Sequence, residues 1–250
     1  MAKFEKPQKG NPFQLVINQH TFPAKSIARF AGSSGRVQLQ MTAAKLIRQA
    51  KPTDSIFCAR RAWDHVSEVK FAKKIEDDFQ RLADLIIQGQ FSSFNEEQKY
   101  VVSSFYALWA ARAQIREKPE KDGIMPGIWP GRAWSKHQEE ELEKAGFVFA
   151  RGNVFPARML NGAAIHILVG RHLRQINPTA HWGIVRASSG EFIVPDWPLH
   201  HAFVPITPTL ALVTPAINQQ LGRSAVKLVN ERMRLASRRY FFARDFLACP

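Results

Sequence analysis

Three charged residues stand where helices of a folded protein carry apolar side chains. On a helical wheel at about 100° per residue, Val69, Ala72, Ile75, Phe79, Leu82, Ala83 and Ile86 form one apolar stripe of a helix over residues 66–88, and Glu68 and Glu76 fall inside it. Lys73, Lys74, Asp77, Asp78, Arg81 and Asp84 occupy the other side. In a second helix, over 95–116, Val101, Phe105, Leu108, Trp109 and Ile115 make the stripe, with Arg112 near its centre. A charge drawn into a core is costly unless it is paired. Two readings follow: an ion pair clamping two core helices, or a polar pocket between them to which other parts of the chain contribute.

Two further residues are nominated for that pocket. His20 stands just before a short helix opened by Pro23, and Asp196 lies in the rigid turn Pro195-Asp196-Trp197-Pro198. If His20, Glu68, Glu76, Arg112 and Asp196 converge, the site holds a group that titrates near neutrality, acids whose pKa burial raises, and a fixed cation. That set suits metal-independent cleavage of RNA. A Glu or His takes the 2′-hydroxyl proton, the other acid protonates the leaving oxygen, and Arg112 stabilises charge growing on phosphate. With Mg²⁺ instead, Glu68, Glu76 and Asp196 would hold the metal that activates water. Composition does not choose between these. His200 and His201 follow Asp196 closely, but their spacing is unspecific for a metal.

The elements that must position these residues are partly readable. Ser67 is a plausible cap for the first long helix, and Asn95 with Gln98 has the pattern of a capping box for the second. A breaker-rich loop over 117–134 carries Trp129, Arg132 and Trp134. Ser135 with Gln138 caps a short acidic helix ended by Gly146, Phe147 to Ala150 suits a strand, and Pro156 opens a helix to about Ile176. The period then changes to that of strands over 181–186, 191–194 and 210–214. Earlier strands are expected over 36–41 and 55–59. The expectation is an α+β fold in a single domain, 1–250: a mainly helical core with a small, mostly antiparallel sheet formed by the N-terminal and 180–214 strands.

The charge balance points to a partner. Thirty-five Lys and Arg against 21 Asp and Glu give a net charge of +14, an excess that suits a polyanion, most simply nucleic acid. A basic helix over 217–239 gathers Arg223, Lys227, Asn230, Arg234 and Arg238 within about 80° of the wheel, a stripe suited to phosphates. Arg132, beside Trp129 and Trp134, adds a cation next to rings that can stack on bases. RNA is favoured over DNA as the partner. The two cysteines, Cys58 and Cys249, make neither a disulfide framework nor a cysteine zinc site. With no signal peptide or membrane span in view, the reading is a cytoplasmic, bacterial-type protein with no membrane partner.

Several of these segments resemble an uncharacterised bacterial family of the domain-of-unknown-function kind, sometimes encoded near mobile or defence genes. The resemblance rests on His20, Pro23 and Phe30, on Glu68 and Glu76 in one helix and Arg112 in the next, and on Asp196-Trp197-Pro198 followed by Phe203 to Pro208. It spans about residues 18–213 and departs at Pro195, where the family more often has a small polar residue. It implies no activity. No Walker loop, dinucleotide fingerprint, zincin motif or Gly-x-Ser-x-Gly elbow is present. The expected function is therefore a nucleic-acid-processing enzyme, a ribonuclease or other nuclease. Its alternative is a non-catalytic protein that binds nucleic acid or a partner, its buried Glu and Arg purely structural.

Overall fold

The computed structural model describes residues 5–44, 46–91, 93–127, 133–176, 180–199 and 202–250. Its helices are α1 (Ala24–Ala28), α2 (Lys73–Ile87), α3 (Glu96–Glu117), α4 (Lys136–Ala145), α5 (Ala157–Ile176) and α6 (Arg223–Ala236). The strands are β1 (Asn18–His20), β2 (Val37–Met41), β3 (Ile47–Ala50), β4 (Cys58–Arg60), β5 (Gly123–Ile124), β6 (Val154–Phe155), β7 (Gly183–Ala187), β8 (Val194–Pro195), β9 (Phe203–Thr207), β10 (Leu210–Val213), β11 (Gln219–Leu221) and β12 (Tyr240–Ala243).

Helix α3 is the centre of the molecule. Asn95 and Gln98 exchange side-chain and backbone hydrogen bonds in a capping box, which satisfies two amides that a helix start leaves bare. Residues 102–113 are all buried, so α3 is covered on every side. Toward one side Phe105 stacks on Phe79 of α2 with centroids 3.6 Å apart, in a core that also takes Phe22, Phe57, Tyr240 and Phe242 from the two ends of the chain. Toward the other, Ala107, Leu108 and Ala111 meet Ile165, Leu168 and Val169 of α5, the small alanines letting the helices approach closely.

The helix expected over 66–88 has two parts. Its first turns, Ser67–Ala72, are π-helical and run straight into α2. The wider π turn is rare and recurs at functional sites; here it carries Glu68.

The α+β class holds, but the single small sheet does not. Strands β11, β7, β10 and β9 form one four-stranded sheet, antiparallel except that β11 runs parallel to β7. A second, antiparallel sheet has the order β3, β2, β12, β8, and β1 with β4 and β5 with β6 form two-stranded pairs. In that sheet the N-terminal strand β2 pairs with the C-terminal strand β12, whose four residues are all buried, and of the strands at 183–213 only β8 joins it, on the other edge of β12. The C-terminal helix is shorter than the expected 217–239, because residues 219–221 pair with β7 and Gly222 caps the helix. Phe147 to Ala150 form no strand; the pairing segment is Val154–Phe155. No helix among the described residues is long and apolar enough to cross a membrane.

Candidate functional site

Arg112 projects from α3 toward the π turn and α2. Its side chain is 1% exposed, and Nη2 donates to Oε2 of Glu68 at 2.7 Å while Nη1 donates to Oε1 of Glu76. The indole of Trp63 donates to the same Oε2 of Glu68 at 2.7 Å, and its ring lies 5.6 Å from the guanidinium carbon. The Glu68 and Glu76 side chains keep 15% and 21% of their exposure, while that of Arg112 is sealed. Burial pushes Glu76 above the ordinary carboxylate range, opposed by Arg112.

His20 ends β1 beside this group. Arg112 and Glu68 lie close enough for their charges to act on its ring. Its Nε2 lies 3.1 Å from the carbonyl oxygen of Pro52. A carbonyl only accepts, so Nε2 carries the proton and Nδ1 keeps its lone pair. Burial holds the His20 pKa below that of a free histidine, so the ring is neutral near pH 7.

The strand pairing adds a residue that spacing did not nominate. Cys58 stands opposite His20 across the β1–β4 pair, and Arg116, Glu68 and Arg112 all act on it. Its thiol is buried and pushed up to about 11, which keeps it protonated and poorly nucleophilic. One turn further along α3, Arg116 donates to Ile56 O at 2.5 Å and to the Tyr240 hydroxyl at 3.1 Å.

Asp196 is held elsewhere. Oδ1 accepts the backbone N–H of Arg238 at 2.8 Å and Oδ2 that of Arg239 at 3.1 Å, so it fastens the link between α6 and β12. The charges that act on it are Arg116 and Arg239. The trio of Glu68, Glu76 and Asp196 expected to hold Mg²⁺ is therefore not assembled. Among the described residues no group of three or more His, Cys, Asp or Glu is placed to hold a metal. His200 and His201 lie outside the described residues.

A second polar group was also unforeseen. Asp64 accepts from Ser67 through both backbone N–H, at 2.8 Å, and Oγ, at 2.5 Å, and Ser67 Oγ lies 3.4 Å from His166 Nε2. The hydroxyl donates to the acid and not to the imidazole, the reverse of an activated serine. Asp64 caps the helical turn, beginning at His65, that runs into the π segment.

The basic helix face is only partly as expected. Arg223 and Lys227 are exposed and enter no ion pair among the described residues. Arg234 leans over the Phe241 ring. Arg238 lies beyond the helix, stacked at 3.5 Å on Trp197 and 3.5 Å from Glu117. Asn230 is fully buried, accepting from Ile193 N and donating to Glu191 O, and has nothing left for a phosphate. Arg132 lies outside the described residues.

Where the acids go decides where the positive charge remains. In α4, Glu139, Glu140 and Glu143 are buried, and Arg61, Arg151 and Arg158 neutralise Glu139 and Glu143. On the outer side of α2, Lys73, Lys74 and Arg81 meet Asp77 and Asp78. Residues 151–250 hold 12 Lys and Arg against 4 Asp and Glu, and of those acids Glu191 binds Arg244 and Asp196 its two amides. Two of those cations, Arg151 and Arg158, serve acids of the N-terminal part, so the excess positive charge is spread over both parts of the chain. No family model, curated protein or solved structure matches this chain.

Proposed function

We propose that this chain binds nucleic acid, RNA before DNA, through the exposed face of α6, with Glu68, Arg112 and Glu76 serving as a clamp between helices. The observation that carries the reading is that Arg223 and Lys227 on α6 are exposed and enter no ion pair among the described residues. Cations so placed release counterions when they meet phosphates, which gives affinity without sequence preference. Arg112 supports the clamp: two carboxylates occupy its Nη atoms, and its side chain is sealed from solvent.

His20 favours cleavage as a second reading. A neutral ring with Nδ1 unprotonated, close to the Glu68 carboxylate, has the form of a general base. In this version Arg112 is a positioning residue for Glu68 and Glu76 and does not touch phosphate.

Labelled single-stranded RNA and DNA, incubated with the purified protein in Mg²⁺ or in chelator, test both. Binding that weakens steadily as salt rises is expected, and binding indifferent to salt or absent would overturn the proposal. Cleavage by the wild type that is lost in a folded His20→Gln variant supports the enzyme. Binding with no cleavage in either condition removes it.

A further inference from the structure

The β11 edge of the four-stranded sheet borders a concavity that neither the clamp nor the α6 cations use. Its volume is about 330 Å³, and its walls are Phe91, Ile184, Arg186, Asn218, Gln219 and Gln220, near the lower end of small-ligand sites, about 300 Å³. The lining combines one aromatic ring, three carboxamides and one guanidinium, without an acid.

The local fold builds this wall. Gly183 has the backbone of Ala216 and Ile217 against it: a Cβ there would lie 2.6 Å from both the carbonyl carbon and the oxygen of Ile217. Only glycine lets the 216–218 segment press onto β7. Ala216 N then donates to His181 O at 2.9 Å, and Asn218 Oδ1 accepts from Ile184 N at 2.8 Å, standing in for a strand partner. From there β11 runs parallel to β7 and sets Gln220 beside Arg186. Both side chains are exposed. Phe91, in the loop after α2, is steadied by Phe94 at 4.6 Å.

We infer that this concavity takes one nucleobase of single-stranded RNA, stacked on Phe91, with its edge read by the Gln220 amide and the adjoining phosphate met by Arg186. Stacking on an aromatic ring is the general device for unpaired bases. Carboxamides offer the paired donor and acceptor that a base edge needs. A duplex keeps its bases stacked on one another, so it cannot use the site. The inference rests on the proposal that the chain binds nucleic acid and gives that proposal a strand preference.

Titration of labelled oligouridylate and of an RNA duplex of equal length against the wild type and the Phe91→Ala, Gln220→Ala and Arg186→Ala variants provides the test. Loss of the stack is expected to weaken single-strand binding about 5- to 140-fold, from about 1–3 kcal/mol per base. Gln220→Ala, at an exposed position, is expected to cost about 5-fold. Duplex binding should be unchanged by both. Because Phe91 also touches the core, an oligouridylate carrying 5-iodouridine is photocrosslinked to the wild type in parallel, and the label is expected on the Phe91 peptide. Wild-type binding with unaltered affinity in Gln220→Ala and Arg186→Ala, and crosslinks only on other peptides, overturns the base site and leaves general nucleic-acid binding standing. A wild type that binds neither oligonucleotide overturns both.

Discussion

Arg112 Nη2 and Glu68 Oε2 meet at 2.7 Å across the junction of α3 and the π turn, with Trp63 donating to the same oxygen. The guanidinium has been withdrawn from water, and Glu76 completes its pairing. Removing one partner of such a group leaves the others uncompensated, at a cost of about 3–5 kcal/mol. Arg112→Ala is therefore expected to lower the urea midpoint strongly with little change in slope. Replacing Glu68, Arg112 and Glu76 together by Gln, Met and Leu should recover much of that loss. A single variant within about 0.5 kcal/mol of wild type, the range of surface substitutions, would show that the clamp holds nothing.

His20 gives stability a pH dependence of known sign. Burial lowers its folded pKa from 6.5, so between 6.5 and the folded value the unfolded chain binds more protons than the native one. Stability then rises with pH: this contribution is whole above 6.5 and is lost as pH falls through the folded pKa. Glu76 is raised from 4.5 and acts in the opposite sense, its contribution being present below 4.5 and lost as pH climbs through its folded value. Subtracting the profile of His20→Gln from that of wild type isolates the first effect. The difference should shrink on acidification below 6.5, and a pH-independent difference would show that His20 does not resist protonation in the fold.

Both capping boxes and the Gly146 stop were legible because their signals are local: a cap side chain, an amide three residues on, and a left-handed glycine. Glu68, Glu76 and Arg112 were legible as misfits in apolar stripes. The π turn had no signature, since it differs from an α-helix in hydrogen bonding and not in residue type. The face of α6 was misjudged because Leu228 and Leu235 are exposed while Val226, Asn230 and Met233 face inward; tertiary contacts overrode hydropathy. Asp196 looked like a site acid, but the amides that hold it come from 42 and 43 residues away, beyond any local pattern. The pairing that brings Cys58 opposite His20 was hidden for the same reason.

If the α6 face meets phosphates, each contact adds to the salt dependence of binding. The slope of log affinity against log salt is about 0.7 per phosphate for a single strand and about 0.9 for a duplex. Arg223→Ala with Lys227→Ala should flatten the single-strand slope by about 1.4, twice the single-contact value, and weaken all sequences alike. Filter binding over a range of salt measures it. A slope unchanged by the double variant would move the phosphate contacts off α6.

Gly162 supplies a reversal of a familiar rule. Within a helix, Gly→Ala ordinarily stabilises by about 1 kcal/mol. Gly162 lies in α5, where a Cβ would stand 1.7 Å from Asp64 Oδ2 and 2.8 Å from Ser67 Oγ. Those are the two atoms joined at 2.5 Å in the cap of the turn that runs into the π segment. The methyl group must displace the carboxylate, which removes the cap, or push α5 away from the π turn. Gly162→Ala is thus expected to destabilise by about 1–3 kcal/mol, as overpacking does. Combining it with Asp64→Ala should cost less than the sum of the two single changes, because the clash and the cap share one carboxylate. Additive losses in thermal or urea unfolding would mean that α5 reaches the π turn by some other contact.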